Sequence, residues 1–146
     1  MSARQILVVE DNPDLLELTV MALEGFGPKA DIVVARDGAE ALDYLWGIGS
    51  YRGRDTHEQP AFVMLDMQLP KLSGLEVLRN VRKNPLTALL PVVMLTSSNE
   101  PADMTACYQS GANGFVCKPV EFGKFTEKLK RMQAYWLDVN ESVASA

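Results

Sequence analysis

With 146 residues, 47% of them hydrophobic and 23% charged, the chain has the size and composition of one domain built on one core. A formal net charge of −5 argues against a nucleic-acid-binding surface, which needs a basic patch. No apolar run is long enough to span a bilayer, and two cysteines, Cys107 and Cys117, are too few for a disulfide scaffold or a metal cage.

The stretch QILVV (5–9) is a short apolar run rich in β-branched residues and predicts a first strand. NPDLLELTVMALEGFG then reads as a helix, with Asn12 as N-cap, Pro13 at the first helical position and Gly27 as the stop. Leu16, Val20 and Leu23 share one of its faces. DIVVA (31–35) predicts a second strand and DGAEALDYLW (37–46) a second helix. The next fourteen residues, GIGSYRGRDTHEQP (47–60), form a long connection, because most such loops run about 4–6 residues. FVML (62–65), PVVML (91–95) and GFVC (114–117) complete the strands. GLEVLRNVRK (74–83), EPADMTACYQSG (100–111) and VEFGKFTEKLKRMQAYWLDV (120–139) complete the helices. The strands are apolar on both faces, as in a parallel sheet covered by helices on each side. Five strands alternating with five helices predict an α/β doubly wound fold.

In such folds ligands bind beyond the carboxyl ends of the strands. Glu10 and Asp11 follow the first strand, Asp66 the third, Thr96 and Ser97 the fourth, and Lys118 and Pro119 the fifth. A parallel sheet would bring these residues to one edge. Three carboxylates at one point repel one another, and a hard divalent cation resolves the repulsion. Mg2+ takes one or two carboxylates and keeps water or phosphate oxygens as its other ligands. An aspartate beside it can attack phosphorus to give an aspartyl phosphate, with a lysine and a hydroxyl holding the phosphoryl oxygens. Taken singly, each residue has a plainer reading: a turn or helix cap for Asp66, Glu10, Asp11, Thr96 and Ser97, and a surface lysine for Lys118. Together those readings need four coincidences at four strand ends.

VVEDN, MLDMQLPKLSG, VMLTS and GANGFVCKP resemble, in order and spacing, the motifs of the receiver domain of two-component response regulators; the match runs over about residues 4–133. The resemblance implies a flavodoxin-like (βα)5 fold with strand order 2-1-3-4-5. It implies Asp66 as the phosphorylated aspartate, Asp11 as a direct Mg2+ ligand, Glu10 as its partner and the backbone carbonyl of Gln68 as a further ligand. Thr96 resembles the switch hydroxyl, Lys118 the phosphate-binding lysine, and Phe115 the aromatic switch. The Lys118–Pro119 bond is usually cis in the family. Leu69 and Ser73 depart from the family's usual Met and Asp, away from the proposed chemistry. Gln68 and Ser98 stand where the family tunes dephosphorylation.

The resemblance further implies a cytoplasmic phosphoacceptor that takes its phosphoryl group from a sensor histidine kinase. Such a protein catalyses only its own phosphorylation and hydrolysis, and signals by binding or onward transfer. The long 47–60 loop, with LPKLSG downstream, resembles single-domain regulators that pair with phytochrome-type kinases. The expected organisation is a receiver domain over 1–139 and a flexible tail over 140–146. His57, the only histidine, is expected to be exposed. Phe122, Phe125, Leu129, Met132, Trp136 and Val139 form an apolar stripe on the last helix. A helix of about 19 residues spans roughly 28 Å and a five-residue strand about 17 Å, so its end should overhang. Tyr135, Trp136 and Val139 would then be exposed and available to a homodimer interface.

Three rivals are weaker. A phosphatase with an aspartyl nucleophile wants a second Asp where Gln68 stands. A flavodoxin-like cofactor carrier wants a small-residue phosphate loop where EDNPD stands. A receiver-fold module that is never phosphorylated would be free to lose the acidic pair or the lysine, and this chain has both.

Overall fold

The computed structural model describes residues 4–25, 29–118 and 121–143. Its strands are β1 (Gln5–Val9), β2 (Asp31–Ala35), β3 (Phe62–Asp66), β4 (Val92–Thr96) and β5 (Gly114–Cys117). They alternate with α1 (Pro13–Gly25), α2 (Gly38–Trp46), α3 (Gly74–Lys83), α4 (Pro101–Gln109) and α5 (Phe122–Ala134). All neighbouring strands are parallel, in the order β2-β1-β3-β4-β5. This is the α/β doubly wound fold that the pattern predicts, in the flavodoxin-like strand order that the resemblance implies. Gly27, expected as a helix stop, and the Lys118–Pro119 bond lie outside the described residues.

The unbroken apolar runs follow from having two covered faces. Leu7, Val9, Val63, Leu65, Val92 and Met94 pack against α2, α3 and Cys107 of α4. The alternate residues, Ile6, Val8, Phe62, Met64, Val93 and Leu95, pack against α1 and α5. Each fully buried aliphatic side chain contributes on the order of 1.5–3 kcal/mol. Local chemistry sets where helices begin. Asn12 Oδ1 accepts from the backbone N–H of Asp14 and Leu15 at 3.0 and 3.1 Å. Asp37 accepts from Glu40 N–H at 2.8 Å, and Ser73 from Glu76 N–H at 3.2 Å. α2 ends on Gly47 at φ +64°, a left-handed conformation suited to glycine.

The 47–60 connection folds back on the end of α2. After a 3-10 turn (Gly49–Tyr51), the Arg54 guanidinium lies 4.0 Å over the Tyr44 ring, which meets Tyr51 edge-on at 5.1 Å. Gln59 Nε2 donates to the carbonyls of Thr56 and Leu45. Tyr44 Oη donates to Gln5 Oε1 at 2.6 Å, and Ala61 N–H to the Gln5 carbonyl at 2.8 Å. The connection therefore sits at the amino end of the sheet, opposite the edge that carries Asp66. His57 is exposed, and its ring and backbone N–H both pair with Asp55.

The last helix differs from expectation at both ends. Phe122 is 56% exposed and stays outside the core. At Tyr135–Val139 the chain widens into a π-helical turn, closed by Asn140 N–H to the Tyr135 carbonyl at 2.7 Å. The wider turn delivers Leu137 to the core and leaves Tyr135 and Val139 outside. Trp136, expected to be exposed, instead stacks on Phe62 with centroids 6.2 Å apart. The Arg4 guanidinium donates to the Leu137 carbonyl, and Gln133 Nε2 donates to the Leu23 carbonyl at the end of α1. The end of the helix is thus fastened to the domain. Trp136→Ala should cost about 2–4 kcal/mol in denaturant unfolding, whereas Val139→Ala should stay within about 0.5 kcal/mol.

Candidate functional site

Asp66 closes β3, and Glu10 follows β1 on the neighbouring strand. Both are 5% exposed. Two buried carboxylates need partners, and Lys118, just past β5, supplies one to both. Its Nζ lies 3.0 Å from Glu10 Oε1 and 3.1 Å from Asp66 Oδ2. The remaining oxygens are held by backbone. Gln68 N–H donates to Asp66 Oδ1 at 3.0 Å, and Asn12 N–H to Glu10 Oε2 at 3.2 Å. Asp11 is exposed at the rim. One oxygen each from Glu10, Asp11 and Asp66 lie within 4.8 Å of one another. The cleft beside them is lined by Val8, Val9, Thr19, Met64 and Leu95.

Lys118 does not fully compensate the carboxylates. Burial, with the neighbouring Asp66 carboxylate, raises the pKa of Glu10 from 4.5 to about 7 against the opposing pull of Lys118. The proton on Glu10 thus competes with any cation for the same oxygens. All-oxygen donors, one of them at the solvent rim, suit a hard divalent cation. Glu10, Asp11 and Asp66 would hold it.

Backbone geometry fixes the site from below. A Cβ on Gly74 would sit 2.2 Å from the Asp66 carbonyl oxygen, so only glycine lets α3 begin this close to the site. Gly74 N–H donates to the Met67 carbonyl at 3.0 Å. Between them the chain makes a tight turn, with Leu72 N–H on the Pro70 carbonyl at 2.7 Å and Lys71 at φ +66°. Lys118 N–H donates to the Thr96 carbonyl at 2.7 Å and so holds the lysine's backbone beside β4.

Of the residues expected at the strand ends, Glu10, Asp11, Asp66 and Lys118 come together. Thr96 stands at the end of β4, fully buried, with its Oγ1 accepting from Ser98 N–H at 3.0 Å. Strand alternation puts its side chain in the row of Met94, on the α2–α3–α4 face. Asp66 continues the row of Met64 on the other face. Phe115 is half-buried against the α2–α3–α4 cluster. Gln68 meets Asp66 through its backbone N–H. Ser97 caps nothing among the described residues; the hydroxyl facing α4 is that of Ser98. Thr19 was not anticipated. It lines the cleft, buried, with Oγ1 donating to the Leu15 carbonyl at 2.8 Å. Its position three residues after Leu16, on the buried face of α1, is the signal that could have found it.

The response regulator receiver domain family matches residues 6–130 of the chain. The chain belongs to that family. The bacteriophytochrome response regulator AtBRR is 46% identical, with all of both chains covered and a TM-score of 0.77. The phosphorylated cyanobacterial phytochrome response regulator RcpA superposes with a TM-score of 0.89 at 29% identity, over 97% of this chain and 99% of that one. The probable methanogenesis regulatory protein FilR2 of Methanothrix harundinacea is 36% identical over 97% of this chain and 88% of its own length. Receiver domains are phosphoacceptor signalling modules that bind a divalent metal at an acidic pocket, and the acidic cluster of this receiver fits one. Among the described residues no helix is long and apolar enough to cross a membrane.

Three outcomes follow from this geometry. Glu10 is protonated below pH 7 and must ionise to help bind a cation, so Mg2+ affinity should fall as pH drops through 7, by up to about tenfold per unit. Calorimetric titration between pH 5.5 and 8.5 measures it, and a flat profile would show that Glu10 does not take part. Without metal the sign for folding is opposite. The folded state holds a proton that the unfolded chain releases near 4.5, so this group's contribution to stability is full below 4.5 and is lost as pH rises through 7. Gly74→Ala should destabilise the domain by about 3 kcal/mol or more in denaturant unfolding, because its Cβ meets backbone.

Proposed function

We propose that this receiver takes a phosphoryl group from a phosphohistidine of a sensor kinase onto Asp66. The observation that carries the reading is one buried carboxylate held by a lysine beside two further carboxylates. Asp66 Oδ2 faces Lys118, and Asp66 Oδ1 is fixed by Gln68 N–H. A carboxylate oxygen of Asp66 attacks phosphorus, the P–N bond breaks, and the electron pair leaves on the histidine nitrogen. Mg2+, when bound by Glu10, Asp11, Asp66 and the Gln68 carbonyl, would neutralise charge on the phosphoryl oxygens. Lys118 then passes from the carboxylate to a phosphoryl oxygen. Thr96 turns toward the new group, and Phe115 is repositioned with it. The modification turns a singly charged carboxylate into an acyl phosphate of about −2, a net gain of about one negative charge, at a site already in charge excess, which supplies the drive for rearrangement. The chain has no turnover substrate in this reading, and it acts through binding or onward transfer.

The likeness to AtBRR and RcpA supports a phytochrome-type kinase as donor. The folded 47–60 connection lies at the far end of the sheet, so a partner held there would be recognised independently of the phosphoryl chemistry. The receiver takes residues 1–139, in a cytoplasmic protein without nucleic-acid or membrane contacts; of the expected tail over 140–146, residues 144–146 lie outside the described residues. Exposed Phe122, Tyr135 and Val139 support a homodimer through the last helix. Trp136 is no longer available to it. A monomer by light scattering, with and without beryllofluoride, would defeat the dimer.

Intact mass after incubation with Mg2+ and a small phosphodonor tests the reading. One labile phosphoryl group is expected on the wild type, and none on Asp66→Asn or without Mg2+. A phosphoryl group retained by Asp66→Asn would place the chemistry elsewhere. No adduct together with no beryllofluoride complex would leave a receiver-fold interaction module that is not phosphorylated.

A further inference from the structure

Every polar group of Ser98 is engaged, each toward a different part of the fold. Its N–H donates to Thr96 Oγ1 at 3.0 Å at the end of β4. Its Oγ donates to Asp103 Oδ2 at 2.6 Å, on the first turn of α4, and accepts from Glu100 N–H at 3.2 Å. Its carbonyl accepts from Cys117 Sγ at 3.5 Å, on β5. The Ser98–Asp103 bond is short and charge-assisted, the strongest of the set. Thr96 is held by this node on the α4 side of the sheet, whereas the cleft around Glu10 and Asp66 is lined by Leu95. For the Thr96 hydroxyl to meet a group on Asp66, its side chain must leave the Ser98 N–H.

From this we infer that Ser98 and Asp103 are positioning residues: a latch that holds the Thr96 hydroxyl away from Asp66 and ties its release to a shift at the start of α4. The inference rests on reading Thr96 as the hydroxyl that meets the phosphoryl group. Its physical content is a two-state element. In one state Ser98 is bound to Asp103 and Thr96 to Ser98. In the other Thr96 serves the phosphoryl group and the 97–100 loop moves with it. A ligand that favours the second state must first oppose the latch, so weakening the latch raises that ligand's apparent affinity. Neither residue touches the reacting atoms. A role in folding alone would move stability without moving this affinity.

The test uses the full chain and two probes. With Mg2+ saturating, Ser98→Ala and Asp103→Ala should bind beryllofluoride about tenfold more tightly than wild type, the effect of removing one charge-assisted hydrogen bond. Asp103→Asn, which keeps an acceptor for Ser98 Oγ but loses the charge assistance, should fall between wild type and the alanine variants. Mg2+ affinity should be equal in all four proteins, because neither residue faces the carboxylates. Unchanged or weaker beryllofluoride binding by both alanine variants, with Mg2+ binding intact, would overturn the latch. Amide exchange reads the latch without any phosphoryl analogue. The Ser98 amide should exchange at least about tenfold faster in Asp103→Ala than in wild type, and equal rates would also overturn it. A wild type that binds Mg2+ but not beryllofluoride would count against phosphorylation of Asp66, and the exchange rates would then decide the latch alone.

Discussion

One ammonium group between two buried carboxylates holds this molecule's chemistry in place. Lys118 arrives from β5, Asp66 from β3 and Glu10 from β1, so a single hydrogen-bonded triad ties β5 to two strands with which it does not pair. The Coulomb gain is large only because water is excluded, and the same exclusion makes any imbalance costly. Here the balance is incomplete. With Asp11 at the rim, three carboxylates face one lysine, and Glu10 answers by holding its proton to about 7. The site is therefore built short of positive charge, which a divalent cation supplies and to which a phosphoryl group adds further demand.

The rest of the fold serves that geometry. The sheet is rigid because both faces are buried, so the strand ends cannot drift apart. Gly74 lets α3 approach the Asp66 carbonyl, and the turn at Lys71 carries the chain back in time to do so. Around this fixed centre, the loop after β4 is held by side-chain hydrogen bonds rather than by core packing. In the latch proposed for Ser98 and Asp103, that segment is the one that rearranges, while Asp66 and its partners keep their places. The opposite edge of the sheet carries the folded 47–60 connection, so partner recognition and phosphoryl chemistry can occupy separate ends of one small domain.

Much of this was legible in the sequence. Five apolar runs without alternation dictated a parallel sheet covered on both sides, and parallel strands dictated that residues following each run meet at one edge. Glu10, Asp11, Asp66 and Lys118 follow from that rule alone. What escaped depended on competition between near-equal alternatives. Leu137 and Val139 are both apolar and both could end the stripe; the choice was made by a π-helical turn that no local signal marks. Trp136 found Phe62 and Arg54 found Tyr44 across many intervening residues, and pattern reading along the chain does not see such pairs. That Lys118 would reach Glu10 as well as Asp66 needed the separations across the sheet. Thr96 was correctly placed at its strand end, yet its facing toward Ser98 depends on a loop whose bonds are side chain to backbone.

The charge imbalance at the triad is what calls for a cation beside Asp66. A carboxyl-carbon NMR titration of Glu10, with and without Mg2+, measures it directly. The structure predicts a midpoint near 7 without the cation and a marked downward shift when Mg2+ is added. A midpoint near the ordinary 4.5, unmoved by Mg2+, would mean that Lys118 alone satisfies the cluster and that the metal site argued from it is wrong.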